Sequence, residues 1–429
     1  MNEVSLTADE ADVAIAGSAS AGQRLFRNRV LMLLRSLTGC VLRIREGRST
    51  VEVGTPAAQP EQTLRAMLTV RDPEFYRRAA LGGSVGAAES FMDGEWECDD
   101  LVALVRILVR NRNQLDAMER GPARLAGAAM QLWSACRRNT RSGSRRNIAA
   151  HYDLGNDFFR LFLDDNLMYS SAIYATPADT LEEASRRKLD RICQKLQLEA
   201  GTRVIEIGTG WGGFALHAAR TTGCHVTTAT ISREQHALAC ERVAAAGLQD
   251  RVQVLLTDYR ELTGKYDRLV SIEMIEAIGH QYLDTYFGKV GALLEDDGMA
   301  LIQAITIEDH RYAQALRSVD FIKRHVFPGS FIPSVSAMLA SMAGASDMKL
   351  FHLEDIGPSY ALTLREWRRR FLSQLDRVRA MGYPDRFVRM WEFYLAYCEG
   401  GFIERSTGDV QMLLVKPGAR RTEYVTPST

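Results

Sequence analysis

The sequence predicts an α/β protein: a parallel sheet covered on both faces in the second half of the chain, preceded by a smaller domain of helices and a small sheet. Three observations carry the prediction. Beyond residue 200, short apolar runs alternate with helical patterns, which is the strand, helix, strand rhythm of a doubly covered sheet. The first of these runs ends in a cluster of glycines, and sheets of this kind bind ligands outside the carboxyl ends of their strands. Ahead of them, residues 40–71 alternate apolar and polar between two helical stretches. At 429 residues the chain is long enough for two separate cores.

Taken in order, residues 1–20 are rich in Ala, Asp, Glu and Ser and read as a disordered tail. Over residues 23–37, Leu25, Phe26, Val30, Leu33, Leu34 and Leu37 recur at helical spacing with arginines between them, predicting an amphipathic helix. CVLRIREG and STVEVG around a Gly-Arg turn, then LRAMLTVRD, predict the small sheet, and helices resume at PEFYRRAALGG and DDLVALVRILVRNR. Residues 21–135 are therefore taken as an N-terminal domain. Residues 136–147, CRRNTRSGSRRN, carry Arg137, Arg138, Arg141, Arg145 and Arg146 without an acid and separate two differently patterned halves. They read as a basic linker, either solvated or in contact with anionic lipid. In the second half the predicted strands are Arg203–Ile207, His225–Thr230, Val252–Leu256, Tyr266–Ile272 and 299–305, with helices between them.

Composition removes several function classes. Lys plus Arg equals Asp plus Glu at 53 each, so no overall field marks a nucleic-acid binder. The basic residues are not interleaved with a stacking aromatic face, and no Asn-Pro-Pro-Tyr motif of adenine methylation occurs. The seven cysteines are scattered with no CxxC pair, so neither a disulfide framework nor a metal site is expected. The first twenty residues carry acids where a signal peptide needs a basic region and an apolar core. The best apolar run, 30–42, is interrupted by Arg35 and falls short of the roughly 20 residues of a spanning helix. A cytoplasmic location is expected, with any lipid approached from outside the bilayer.

The first strand of the second half runs into VIEIGTGWGGFALHAA. Gly208 and Gly210 allow a tight turn and close backbone approach, while Gly212 and Gly213 are expected to let the next helix pack on the strand. The spacing is GxGxGG, with Glu206 two residues before the first glycine, whereas dinucleotide sites use GxGxxG. The second strand ends in Thr230 where dinucleotide enzymes place an acid for the ribose. Asp258 and Tyr259 follow the third strand, placed to meet an adenine with one polar and one flat group. This form points to S-adenosylmethionine.

Beyond the glycine loop the chain resembles the cyclopropane-fatty-acyl-phospholipid synthases, which include the mycolic acid cyclopropane synthases. The segments that carry the resemblance are HYDLGNDFF from His151, MYSSAIY from Met168, TISREQ from Thr230, MIEAIG from Met274, FIKRHVFPG from Phe321, SYALTLREW from Ser359 and FYLAYCEGGF from Phe393. The likeness is close from about residue 148 to the end and loose over the first 135 residues. It implies a Rossmann-like class I methyltransferase domain over 148–429, behind an N-terminal domain that engages lipid. The implied reaction adds a methylene or methyl carbon from S-adenosylmethionine to the double bond of an unsaturated acyl chain in membrane phospholipid, giving a cyclopropane. Alternatives left open are a methyl- or methylene-branched product without ring closure, and a non-catalytic cofactor- or lipid-binding protein. The implied partners are the phospholipid itself, through peripheral contact at the inner face of the membrane, and a second copy of the chain in a homodimer; nucleic acid is not among them.

The resemblance also implies site residues. Tyr169 and Ser170 close over the methionine end of the cofactor, Gly208 and Gly210 face its carboxylate, Thr230, Ile231 and Gln235 meet the ribose, and Asp258 with Tyr259 borders the adenine. In the family the base for ring closure is a bound bicarbonate. Carried over, Glu276, Tyr360 and the backbone of Ile305 grip that anion. The sequence departs from the family at two of these places, with Ser171 where the commonest members have Cys and Gln303 where they have His; Gln donates a hydrogen bond but cannot relay a proton. Cys398 matches a conspicuous family cysteine and is expected to be a small buried side chain rather than a nucleophile. His151 is expected to order the segment over the cofactor.

Overall fold

A computed structural model describes residues 21–118 and 155–420. The basic linker, His151 and the first twenty residues lie outside the described residues. Two compact units are present.

The N-terminal unit begins with helix α1 (Ala21–Arg35), then strands β1 (Cys40–Glu46), β2 (Ser49–Val53) and β3 (Leu64–Val70), helix α2 (Glu74–Met92), strand β4 (Trp96–Cys98) and helix α3 (Leu101–Arg110). The hairpin β1–β2 is antiparallel, β3 runs parallel to β1, and β4 closes the four-stranded order β2-β1-β3-β4. The predicted alternation thus marked a real sheet, although three-residue β4 is too short to leave a periodic signal. Helix α2 continues past the break at Gly83 as far as Met92, because Val85, Ala88, Phe91 and Met92 are buried there. Glu46 accepts from Arg27 on α1 and from Tyr76 on α2, tying both helices to the sheet.

Two later stretches, Val319–His325 and Leu372–Glu404, belong to this unit, whereas the sequence placed them in one catalytic segment, 148–429. The physical reason is the helix Asp385–Ile403, which packs on α2 and α3. Gly400 lies so close to Val105 that an added Cβ would sit 2.6 Å from it. Arg389 donates to the carbonyls of Phe91 and Trp96, and Glu404 accepts from Arg106 and Arg110.

The second unit is built on a seven-stranded sheet in the order β10-β11-β9-β8-β5-β6-β7. Helix α4 (Leu181–Lys195) opens with a capping box between Thr180 and Glu183. Then follow β5 (Arg203–Ile207), α5 (Gly213–Thr222), β6 (His225–Thr230), α6 (Arg233–Ala245), β7 (Val252–Leu256), β8 (Tyr266–Ile272), α7 (Leu283–Leu293), β9 (Leu294–Ile307), α8 (Val335–Ala345), β10 (Lys349–Asp355), α9 (Gly357–Leu372) and β11 (Thr407–Val415). Strands β5 to β9 are mutually parallel, and β11 runs antiparallel between β9 and β10. Adjacent residues fall into opposite cores: Ile205, Leu269, Ile302 and Met412 pack on one face, Val204, Val270, Leu301 and Leu413 on the other. Both faces are therefore buried, which is why these strands read as continuous apolar runs. Four predicted strands match in full, and β9 is longer than predicted because it pairs with β11 as far as Ile307. The order reverses between β6 and β8 on either side of β5, which places a crevice at the carboxyl ends of β5 and β8.

Candidate active site

The crevice has two differently built ends. At the end of β5 the glycine loop turns through Gly208 and Gly210, both with positive φ (100° and 51°). A Cβ on Gly210 would meet nothing within 4 Å, so the loop backbone faces open space there. Gly213 serves a different purpose from the expected helix packing: a Cβ would sit 2.5 Å from Met168 Sδ and 2.6 Å from the Asn166 carbonyl, so its absence admits the 166–168 segment. That segment is pinned from α6, where Arg242 donates to the carbonyls of Asn166 and Trp211. Trp211 in turn donates to Asn156 Oδ1 at 2.7 Å.

Around this loop the polar groups are neutral or internally paired. Glu206 is buried and accepts from Thr228 at 2.6 Å; burial pushes its carboxyl up to about 8. At the end of β6, Thr230 donates to Gln235 Oε1, and Ser232 caps α6 by accepting from the Gln235 amide. Gln235 is thereby buried rather than exposed on the helix, and Ile231 lies half-buried between them. Asp258 is also buried, its two oxygens engaged by the guanidinium of Arg260. Beside it the buried hydroxyl of Tyr259 has no partner among the described residues.

At the end of β8 stands a cluster of carboxyls, with Glu273 and Glu276 half-buried and Asp409 buried. Glu273, directly after the strand, has φ 47°, unusual for a residue with a side chain. Its Oε1 accepts from the Ser171 amide at 2.8 Å and from Gln303 Nε2 at 2.8 Å, and its Oε2 accepts from the Tyr360 hydroxyl at 2.7 Å. Asp409 on β11 also accepts from Gln303. Glu276 accepts from the Ile305 amide at 2.6 Å, while its second oxygen is buried without a partner among the described residues. Lys188 on α4 is buried with Nζ 2.6 Å from Ser170 Oγ, and its charge bears on Glu273, Asp164 and Asp409. Burial lowers the Lys188 pKa, raises Asp409 well above the usual carboxylate range with help from Glu273 and Glu276, and pushes Glu276 up to about 8. Glu273 is also raised by burial, against the pull of Tyr360, Lys188, Ser171 and Gln303.

The orientation of Gln303 follows from a chain of donors. Lys195 pairs with Glu354 and can only donate. It donates to Gln411 Oε1, so the Gln411 amide nitrogen turns to Gln303 Oε1, and the Gln303 amide nitrogen is left to face Glu273 and Asp409. The β11 register makes this chain, setting Gln411 opposite Gln303 and Asp409 opposite Ile305.

Between the two ends runs a row of rings: Trp211 to Phe159 at 4.9 Å, Phe159 to Tyr169 at 5.3 Å, Tyr169 to Trp367 at 5.3 Å and Trp367 to Tyr360 at 6.1 Å between centroids.

A family model described as mycolic acid cyclopropane synthetase matches residues 139–412. The chain is 36% identical over 409 residues to a tuberculostearic acid methyltransferase of Mycobacterium tuberculosis, covering 94% of this chain and 93% of that one. It is 38% identical over 351 residues to the cyclopropane-fatty-acyl-phospholipid synthase of Escherichia coli strain K12, covering 81% and 86%. The chain belongs to the mycolic acid cyclopropane synthetase family. Among solved structures, the cyclopropane synthase MmaA2 of Mycobacterium tuberculosis superposes with a TM-score of 0.60 at 28% identity, over 63% of this chain and 98% of that one. The mycolic acid cyclopropane synthase CmaA1 complexed with SAH and CTAB gives 0.59 at 29% identity over the same shares. The protein is thus an S-adenosylmethionine-dependent methyltransferase of this cyclopropane synthase-like family, with its class I fold.

For this methyltransferase the structure brings together Ser171, Gln303, Ile305, Glu276 and Tyr360 as the resemblance implied, but around a residue that the sequence reading missed. Tyr360, Gln303 and the Ser171 backbone all donate to Glu273, not to Glu276. Lys188 and Asp409 were missed as well. One signal was present, an acid directly after an apolar parallel strand in SIEMIE. Cys398 belongs to the N-terminal unit, on the helix Asp385–Ile403, where burial, with Asp320 nearby, pushes its thiol pKa up, opposite to what a nucleophile requires. Among the described residues no group of three or more His, Cys, Asp or Glu side chains is placed to hold a metal ion, and no helix is long and apolar enough to cross a membrane.

Proposed function

We propose that this methyltransferase transfers a one-carbon unit from S-adenosylmethionine to the double bond of an unsaturated fatty acyl chain in membrane phospholipid, with a cyclopropane as product. The observation that carries this reading is the row of rings from Trp211 to Tyr360 between the glycine loop and the carboxyl cluster. An isolated alkene is a weak nucleophile, and alkylating it leaves positive charge on carbon. Ring faces attract such charge without being alkylated as an amine or thiolate would be, and a dry wall keeps water from quenching it.

The residues at the glycine loop fit the cofactor. The open space over Gly210 suits an amino-acid chain against backbone, Thr230 and Gln235 suit ribose hydroxyls, and the Tyr259 hydroxyl beside Asp258, without a partner among the described residues, suits the adenine edge. When bound, S-adenosylmethionine supplies an electrophilic methyl on a sulfonium. Tyr169 and Ser170 orient the reacting groups over it, Ser170 being fixed by Lys188, and the carboxyl cluster supplies the proton acceptor that ring closure needs.

Contact with the bilayer is supported by α1, where Leu25, Arg29 and Met32 share one exposed face; Leu25 is 67% and Met32 60% exposed. Replacing Leu25 and Met32 together by Asp is expected to reduce co-sedimentation with anionic phospholipid vesicles, and unchanged binding would remove α1 from the contact.

The test of function is expression in a bacterium that lacks cyclopropane lipids, with mass spectrometry of the fatty acid methyl esters. A gain of one methylene mass without a double bond is expected. A methyl- or methylene-branched ester would replace the ring by the branched product, and unmodified lipid in cells containing soluble protein would overturn the reading.

A further inference from the structure

The groups that the resemblance assigns to a bound bicarbonate are already engaged. The Ser171 amide, Gln303 Nε2 and the Tyr360 hydroxyl all donate to the Glu273 carboxylate, at 2.8, 2.8 and 2.7 Å. A separate anion held by the same donors does not fit this arrangement. We propose that Glu273 is the catalytic base of this methyltransferase, a built-in carboxylate that stands where a bound anion was expected. The inference rests on the proposed function and names its proton acceptor.

Three independent features support it. First, the donor chain from Lys195 through Gln411 fixes the Gln303 amide so that a donor faces Glu273. Every hydrogen bond described at Glu273 Oε1 and Oε2 is therefore one it accepts, which favours its ionised form. Second, the groups facing Glu273 are Lys188 from α4, Tyr360 from α9, Asp409 from β11, Gln303 from β9 and Glu276 from the turn after β8. The Lys188 ammonium bears first on Glu273, then on buried Asp164 and on Asp409, and it favours the ionised form of Glu273. Glu273 accepts from three donors with both of its oxygens, whereas Glu276 Oε2 and Asp409 Oδ1 are buried without a partner among the described residues. Third, Glu273 is held at φ 47°, a conformation that costs any residue but glycine, and such strain persists where the surroundings over-determine it.

The step balances without another reactant. The alkene π pair forms the bond to the methyl carbon as the S–CH3 bond breaks, its electrons staying on sulfur, and the neighbouring alkene carbon becomes cationic. Glu273 then takes one proton from the new methyl group, and the electron pair of that C–H bond closes the third side of the ring. The proton ends on the Glu273 carboxyl, beside Tyr360 and Gln303, and leaves with product release.

The experiment measures transfer of labelled methyl to vesicles of unsaturated phospholipid in carbonate-free buffer, with and without added bicarbonate. Wild-type enzyme is expected to turn over equally in both. Glu273→Gln, close in shape but unable to accept the proton, is expected to lose turnover by about a hundredfold or more while cofactor affinity, read by calorimetry, stays within twofold. Glu273→Gly suits the positive φ and opens the site, guarding against misfolding; its activity is expected to be low and to recover with bicarbonate, formate or acetate in a saturable way. A wild-type rate that depends on bicarbonate, or a Glu273→Gln enzyme of full turnover, overturns the proposal. Absence of labelled lipid from wild-type enzyme that binds cofactor overturns the functional reading instead.

Discussion

The two ends of the crevice, one at the glycine loop and one at the carboxyl cluster, lie at the carboxyl ends of neighbouring strands β5 and β8 yet handle charge in opposite ways. Around the glycine loop the ionisable groups are neutralised locally: Glu206 by burial, against the pull of the Thr228 hydroxyl, and Asp258 by Arg260 two residues on. What remains to meet a ligand is backbone and hydroxyl, which bind without preferring one stage of a reaction. At the carboxyl cluster, charge is left unevenly shared, with buried Lys188 set against Glu273, Asp164 and Asp409, and Glu276 beside Glu273. Buried, fixed groups of that kind act where a proton or positive charge moves. On the proposed reading, binding and proton transfer are divided between the two ends, so substitutions should separate affinity from turnover.

The largest effect is expected at the glycine loop. Gly210→Val places a β-branched side chain at φ 51° into the open space over the loop and should weaken S-adenosylmethionine binding by roughly a hundredfold or more with the fold retained. Calorimetric titration beside a circular dichroism spectrum checks it, and wild-type affinity would mean that the ligand lies elsewhere.

At the other end affinity should hold while turnover falls. Lys188 favours the ionised form of Glu273, so Lys188→Met lets that carboxyl pKa rise further. The acid limb of the kcat profile should then move up by about one pH unit or more, with a loss of roughly tenfold to a hundredfold at neutral pH. A limb that stays in place would show that the ammonium does not tune the base.

Tyr360→Phe removes one of the three donors to Glu273 and is expected to lower kcat about tenfold with KM little changed, near the effect of a hydrogen bond to a charged group. An equal fall in lipid affinity would place Tyr360 in substrate binding instead.

The smallest effect is read in stability alone. Glu206 is raised from about 4.5 to about 8 by burial, so the folded protein holds a proton that the unfolded chain releases. Stability contributed at this position therefore falls as pH rises from about 4.5 toward 8 and levels beyond. Glu206→Gln cannot ionise and should flatten the decline of Tm across that window by a few degrees; parallel profiles would mean that Glu206 ionises readily in the folded state.

What the sequence by itself determined was whatever lies close along the chain. The strands β5 to β8 were legible as apolar runs because both faces of the sheet are buried, and the glycine loop, Thr230 and Gln235 were legible because a turn and its cap occupy consecutive residues. Strand β11 was not read as a strand because Asp409 and Gln411, polar residues pointing into the protein, interrupt its pattern. Only the tertiary structure decided where those interruptions lead. Glu273 faces Gln303 because β8 and β9 are in register up to Ile272 and Gln303, and Asp409 and Gln411 join them because β11 runs antiparallel beside β9. Lys188 arrives from a helix that precedes the whole sheet. Spacing along a chain carries information about neighbours in one element, whereas a buried charge is balanced by whatever the packing brings within a few ångströms, and packing joins residues more than a hundred positions apart.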